Sequence, residues 1–249
     1  MRFSRGFSLI ELSIVLVILG LLAGSLLVGQ SLIRASELRS VSADFQRYQT
    51  AINAFRDKYF GLPGDLSNAT AIWGSAGGTG ADATCFSTVA TTTATCNGNA
   101  NGQIDVTFSY GEAAEAWKQL TNAGLIAGNY TGVKGVGWVP GVNTPGSKIT
   151  NAGFSYAYSS ITGAFNEYWS GANNGNAIFF GTASDLMRYS NTIKPEEAWN
   201  IDNKLDDGNP STGRVTSNST SACNSGSYPT ASYALSLSSR ACSLRFVVD

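Results

Sequence analysis

The chain has 249 residues, only 13% of them charged, and a formal net charge of −1. This balance offers no basic surface, so no specific nucleic-acid site is expected. The chain contains no histidine, which excludes a Ser-His-Asp triad, a Cys-His dyad and the commonest zinc and haem ligands.

The first predicted element is a long apolar segment near the N-terminus. The stretch from Leu12 to Ile33 contains no charged side chain, and a helix of that length, at about 1.5 Å per residue, crosses the roughly 30 Å hydrocarbon core of a bilayer. Glu11 stands at the start of this segment. A carboxylate moved toward the bilayer centre costs on the order of 2–4 kcal/mol, so its presence there needs an explanation.

Three interpretations compete for this segment. A secretory signal cut near residues 23–25 conflicts with Glu11 and with the apolar residues that continue beyond that point. A simple membrane anchor, with the basic residues before it kept inside, is physically sound but leaves Glu11 unexplained. Cleavage between Gly6 and Phe7 does explain it, because Phe7 then becomes a cationic N-terminus and Glu11 becomes the fifth residue.

A helix that begins at Phe7 has unsatisfied N–H groups and a partial positive charge, which favour a nearby carboxylate. In lipid, Glu11 can also be neutralised by the Phe7 amine of a neighbouring subunit. Because such a pair forms only when the helices are correctly staggered, it would set subunit register. Residues 6–11, Gly-Phe-Ser-Leu-Ile-Glu after a short basic leader, resemble the prepilin cleavage and methylation motif of bacterial type IV pilins and type II secretion pseudopilins.

This resemblance implies a leader at residues 1–6, a prepilin peptidase that removes it, and N-methylation of Phe7. It implies a homo-oligomeric helical filament built through the N-terminal helix, with an inner-membrane assembly platform as partner. The protein would reside in the inner membrane and then in an extracellular pilus or a periplasmic pseudopilus. The implied fold is α+β and type IV pilin-like, with one long N-terminal helix followed by an antiparallel β-sheet head.

The residues after the apolar segment carry a heptad pattern. Apolar side chains recur at intervals of three and four residues: Leu38, Val41, Phe45, Tyr48, Ile52, Phe55 and Tyr59. No proline interrupts residues 7–60, so we expect one helix. Its first part, 7–33, is predicted to cross the membrane and form the filament core, and its amphipathic part, 34–60, to dock on the head.

The head, residues 61–249, is predicted to combine an antiparallel sheet with short helical insertions. Gly61 in the left-handed conformation and Pro63 are expected to end the long helix. Two further helices are expected, one at 110–123 closed by Gly124 and one at 194–208 with Pro195 in its first turn and Gly208 at its end. Four strands are expected, at 154–160, 176–181, 232–237 and 244–248.

The four cysteines lie in the head without C-x-x-C spacing. The head follows a membrane-inserting N-terminus. An even number of cysteines at these separations in such a head indicates two disulfides formed in an oxidising compartment. Three pairings are possible, and the sequence-local one is favoured, which joins Cys85 to Cys96 and Cys223 to Cys242.

No cofactor is expected, but two stretches are weak calcium candidates. Residues 97–105 have the rhythm of a calcium loop, although its twelfth place holds Phe108 instead of a bidentate acid. Asp202, Asp206 and Asp207 concentrate more charge, yet the end of a solvated helix is the preferred interpretation.

Two function classes stay open. The first is a structural subunit of a surface type IV pilus, which serves adhesion, twitching motility or DNA uptake. The second is a pseudopilin of a type II secretion filament, which drives protein export. The large head rich in Ser, Thr and Gly favours the pilus, because diverse loops suit contact with the surroundings. A membrane-anchored periplasmic enzyme is disfavoured, since the chain has no histidine and no convergent acid pair.

Overall fold

The computed structural model describes residues 8–90, 92–106, 111–133, 137–159, 175–182, 191–218 and 222–248, except for the side chain of residue 27. The protein is α+β, with one long N-terminal helix and an antiparallel sheet, as predicted. The chain divides into two units, one that ends at Arg39 and one that begins at Ser40. The boundary falls inside the first helix.

Helix α1 spans Leu9–Tyr59, 51 residues. In its first part the apolar side chains are exposed, with Leu9 at 86% and Leu21 at 71%. In the described part of the chain, α1 is the one helix long and apolar enough to cross a membrane. The predicted helix therefore forms, and its N-terminal surface remains uncovered within its own unit.

From Ser40 onward α1 belongs to the second unit, and there its heptad positions from Val41 to Phe55 are buried. Phe45 stacks on Phe246 with ring centroids 4.5 Å apart. Tyr48 makes edge contacts with Trp117 and Phe154, at 5.0 and 5.2 Å. The apolar stripe of this part of α1 is thus one wall of the head's aromatic core.

The end of α1 differs from the prediction in one residue. Phe60, not Gly61, takes the left-handed conformation, with φ at 55°, and its N–H donates to the Arg56 carbonyl oxygen at 2.9 Å. Phe60 can do so with its side chain 95% exposed. Gly61 serves a different purpose, because a Cβ there would lie 2.9 Å from Leu66 Cδ1. The glycine permits close approach of the next segment instead of a positive φ.

The strands, in chain order, are β1 (Ala152–Ser159), β2 (Gly175–Thr182), β3 (Val215–Ser217), β4 (Asn224–Ser225), β5 (Ser232–Tyr233) and β6 (Leu244–Val247). Four of them form an antiparallel sheet in the order β1-β2-β6-β3, and β4 pairs with β5. In this register Phe180 lies opposite Phe154 on one side and Leu244 on the other. The predicted strands at 154–160, 176–181 and 244–248 are confirmed, although residue 160 lies outside the described residues.

The predicted strand at 232–237 is wrong beyond Tyr233. Leu235 and Leu237 are 52% and 40% exposed. The Leu235 N–H donates to the Tyr233 carbonyl and the Leu237 N–H to that of Ala234, which is the local bonding of turns and not of a ladder. The apolar alternation there marks a surface loop. The short strands β3 and β4 were not predicted, since two or three residues carry too little pattern.

The head also contains four helices among its described residues: α2 (Ala69–Trp73), α3 (Ala83–Ser87), α4 (Glu112–Asn122) and α5 (Pro195–Leu205). The last two confirm the predicted helices, apart from residue 110, which lies outside the described residues. Gly124 and Gly208 follow them with φ at 73° and 75°, as expected of helix-ending glycines. Helices α2 and α3 were missed because each has barely more than one turn.

Two disulfides join buried cysteines, Cys85 to Cys96 and Cys223 to Cys242. The first ties α3 to the segment that precedes α4. The second ties the residue before β4 to the segment before β6. Each therefore closes a local loop, and Cys85 and Cys96 form a small apolar cluster with Phe86.

Candidate functional site

The start of α1 is capped by the side chains of Ser8 and Glu11. The Ser8 N–H donates to Glu11 Oε2 at 2.9 Å, and the Ile10 N–H donates to Ser8 Oγ at 3.4 Å. Ser-x-x-Glu is the sequence signature of a capping box, and the bond from the Ser8 N–H to Glu11 is the half of that motif formed here. Both bonds satisfy backbone donors that the first turn leaves unpaired. The pattern was visible at residues 8–11, but the sequence analysis considered Glu11 only as a partner for an amine.

Glu11 thus has an intrahelical partner in the isolated chain. A carboxylate can accept about four hydrogen bonds, so the bond from Ser8 leaves capacity for a further donor. Gly6 and Phe7, the predicted cleavage site, lie outside the described residues. The pairing of Glu11 with the Phe7 amine of a neighbouring subunit stays a prediction.

The serine hydroxyl groups in the apolar part of α1 are also compatible with lipid. The hydroxyl groups of Ser13, Ser25 and Ser31 donate to carbonyl oxygens three residues earlier in the same helix, at 2.9, 2.9 and 2.8 Å. Polar groups in a bilayer need such internal partners because lipid supplies none. The hydroxyl donors of these three serines are therefore satisfied within the helix.

A helix with an exposed apolar surface, followed by an antiparallel sheet, fits a membrane-anchored α+β protein. Residues 1–27 match the family model of the prokaryotic N-terminal methylation motif. The chain carries a prepilin-type leader of the kind found in type IV pilins and pseudopilins, and this motif implies prepilin peptidase processing and filament assembly. No curated protein and no solved structure shows significant similarity to the chain.

The acidic trio at the end of α5, Asp202, Asp206 and Asp207, does converge, with one oxygen of each carboxylate within 4.8 Å of the others. The expectation that the chain has no convergent acid pair is therefore wrong. Every member already accepts hydrogen bonds. Asp202 accepts from the Tyr233 hydroxyl at 2.8 Å and the Gly208 N–H at 3.2 Å. Asp206 accepts from the N–H of Val215 at 3.1 Å, and Asp207 from the Asn209 N–H at 2.8 Å. We interpret the trio as the polar end of α5 that holds the following loop, and we assign no cation to it.

Residues 97–105 form a loop held by two acids that the sequence analysis did not connect with it. Asp65 accepts from the N–H groups of Asn101 and Gly102, at 3.1 and 2.8 Å. Glu112 accepts from those of Asn99 and Asp105, at 3.0 and 2.9 Å. Burial raises the pKa of Glu112 to about 7, against the lowering effect of these bonds. Phe108, the twelfth residue of the candidate calcium loop, lies outside the described residues.

Proposed function

We propose that this protein is a structural subunit, and not an enzyme, that polymerises through its N-terminal helix into a surface type IV pilus. The observation that carries the proposal is the exposed apolar surface of α1 on the C-terminal side of Glu11, which caps the helix. Residues 1–27 of the same chain match the methylation motif. Such a surface needs lipid or other copies of itself. We assign residues 1–6 to the leader, 7–33 to the membrane anchor and filament core, 34–60 to the amphipathic helix and 61–249 to the head.

A subunit that leaves the membrane for a filament exchanges lipid for neighbouring helices. Both surroundings are apolar, so the exchange yields little hydrophobic free energy and does not select one stagger. A charge pair does select one, because it forms only where the two charges meet. Glu11 and the amine of a cleaved Phe7 supply that pair in our proposal.

The head supports the assignment to a surface pilus. Its exposed loops include residues 234–240, between the paired cysteines Cys223 and Cys242, where Leu235 and Leu237 are open to solvent. Disulfide-closed loops remain folded outside the cell, and variable loops on a rigid scaffold suit contact with surfaces. Adhesion, motility and DNA uptake are all compatible with such a head.

Electron microscopy of cells that lack the gene tests the proposal against its alternative. Loss of long surface filaments, restored by the wild-type gene, is the expected result. Intact filaments together with failed export of a secreted enzyme would instead assign the protein to a type II secretion pseudopilus. Both outcomes are read from one culture, with the secreted enzyme measured in the medium.

Mass spectrometry of the protein from the membrane tests the processing step. We expect an N-terminus at Phe7 that carries one additional methyl group. A start at Leu26, or an uncut Met1, would contradict the proposal.

A further inference from the structure

A buried polar cluster joins α4 to the segment that carries Cys96. Its three side chains are Thr95, Glu115 and Gln119, and each of these residues is at most 1% exposed. Glu115 and Gln119 are four residues apart and therefore lie on the same face of α4. All three belong to the unit that begins at Ser40. A hydroxyl, a carboxyl and an amide group are thus held together away from water.

The Thr95 hydroxyl group contacts both of the other side chains. It donates to Glu115 Oε2 at 2.5 Å and accepts a bond from Gln119 Nε2 at 3.3 Å. The hydroxyl proton therefore points at the carboxyl group, while the hydroxyl oxygen faces the amide. A nucleophile within hydrogen-bond reach of its general base has this arrangement.

The Gln119 amide is held in place by two backbone groups. Its Nε2 also donates to the Cys96 carbonyl oxygen at 3.0 Å, and its Oε1 accepts from the Gly64 N–H at 2.7 Å. Because Cδ is bonded to Nε2, it lies within about 4.6 Å of Thr95 Oγ1. A small side-chain rotation reaches the near-attack distance of roughly 3–3.5 Å. The Gly64 N–H is then placed to stabilise the negative charge that develops on Oε1 during attack.

The electrostatic surroundings of Glu115 suit a general base. Burial raises its pKa to about 7, against the lowering effects of the Thr95 hydrogen bond and of the Lys118 charge. A general base is most effective when its pKa lies near the working pH, because it is then both ionised and able to hold a proton. Glu115 therefore can accept the Thr95 proton and release it again.

We propose that Thr95 and Gln119 join in an intramolecular ester bond that the head forms by itself. Thr95 Oγ1 attacks Gln119 Cδ while Glu115 accepts the hydroxyl proton. The bond between Cδ and Nε2 then breaks, and Glu115 returns the proton to the departing nitrogen. The products are an ester and ammonia, Glu115 ends in its initial state, and the step needs no oxidant or reductant.

The ester ties α4 to the residue next to the Cys85–Cys96 disulfide. This part of the head consequently stays crosslinked when the disulfide is reduced. Burial of the three side chains excludes water, which protects the ester from hydrolysis. The bond is independent of filament assembly, because none of its residues lies in the first unit.

Intact mass spectrometry of the full-length protein, reduced and denatured, tests the proposal with Thr95→Val and Thr92→Val. Thr92 is exposed in the same loop between Cys85 and Cys96. The two variants have the same composition, so N-terminal processing and losses elsewhere change both masses alike. We expect Thr92→Val to be lighter by one molecule of ammonia. Equal masses would overturn the proposal, and so would a loss of water, which would make Glu115 the acyl donor.

Fragmentation of the intact wild-type chain locates the bond without a variant. Backbone cleavage between residues 95 and 119 should release no fragment from the crosslinked chain, and mild alkali, which hydrolyses the ester, should restore these fragments. Their release before alkali treatment would overturn the proposal.

Glu115→Gln keeps both reacting groups but removes the base. It should slow ester formation about a hundredfold or more, followed as the crosslinked fraction over time after synthesis is stopped. An unchanged rate would overturn the assignment of Glu115 as the base.

Discussion

The two parts of helix α1 differ in the exposure of their apolar side chains. Between Leu9 and Ile33 the large apolar residues whose side chains are described are exposed, most of them by more than half. Between Val41 and Phe55 the apolar heptad positions are at most 5% exposed. Secondary structure is the same in both parts, so helix formation does not decide which surface is covered.

The difference lies in the distribution of apolar residues. The first part is apolar all round, as a helix in lipid or in the core of an assembly must be. The second part confines apolar residues to one stripe and places charged pairs such as Asp44 and Arg47, 3.0 Å apart, on another face. A uniform surface can pack against many copies in many staggers, whereas a stripe specifies one docking face. In the proposed function, Glu11 supplies the specificity that the uniform first part lacks.

The largest effect is expected from Glu11, which supplies the specificity of subunit packing in the proposed function. Glu11→Gln retains an oxygen that can cap Ser8 but removes the charge. Breaking one side of a buried charge pair costs roughly 3–5 kcal/mol at every subunit interface. We therefore expect the variant to be inserted and largely cleaved, but nearly absent from sheared surface filaments.

The control for Glu11 is Glu37→Gln, which removes a partly exposed carboxylate paired with Arg34 on the same helix. Filament yield should stay close to wild type in this variant. Normal filaments from Glu11→Gln, measured by immunoblot of shear and membrane fractions, would show that capping and not charge is the role of Glu11.

The next effect concerns the docked part of α1. Phe55 is fully buried and packs on Tyr59 and Trp73. Phe55→Ala should cost roughly 3–5 kcal/mol and lower the melting temperature of the head by about 10 °C. The matched control is Phe60→Ala, because Phe60 lies on the same chain segment but is 95% exposed. Near-ultraviolet circular dichroism monitors the melting of both variants. Equal melting temperatures would contradict the packing described here.

The disulfides are expected to stabilise the head and leave the first part of α1 unaffected. In the chain-entropy model a closed loop of this size contributes about 3 kcal/mol. Replacement of Cys223 and Cys242 by serine should therefore lower the melting temperature of the head. The helical circular-dichroism signal from the first part of α1, with the protein in detergent micelles, should persist. Peptide mapping without reductant checks the pairing, and a fragment that joins Cys96 to Cys223 would refute it.

The smallest effect is a pH dependence from Glu112. Its pKa of about 7 in the folded state lies above the ordinary glutamate value of 4.5, so the folded state holds a proton more tightly than the unfolded chain does. The resulting stability is complete below about pH 4.5 and is lost as the pH rises through about 7, on the order of 1–2 kcal/mol after allowance for partial solvation. Glu112→Gln should show a smaller fall in melting temperature from pH 5 to pH 8 than wild type.

Glu196→Gln serves as the control for this titration, because Glu196 lies exposed in the first turn of α5. Its melting temperature should fall with pH as in wild type. An unchanged fall in Glu112→Gln as well would assign the pH dependence of the head to other groups.

The amino-acid sequence alone was sufficient for the features that depend on local pattern. The apolar run, the Gly-Phe-Ser-Leu-Ile-Glu stretch and the heptad positions predict the whole of α1, because helix period and apolar distribution are read along the chain. Helices α4 and α5 and the three longer strands follow for the same reason. Proline and glycine at their ends act through backbone geometry that needs no distant partner.

Only the tertiary structure decided the features that join residues far apart in the chain. No local pattern links Asp65 and Glu112 to the 97–105 loop. The same holds for residues 234–237, whose alternation predicts a strand but which find no partner strand in the fold. Buried hydrogen bonds and burial itself depend on which surfaces meet, and that is a property of the folded chain as a whole.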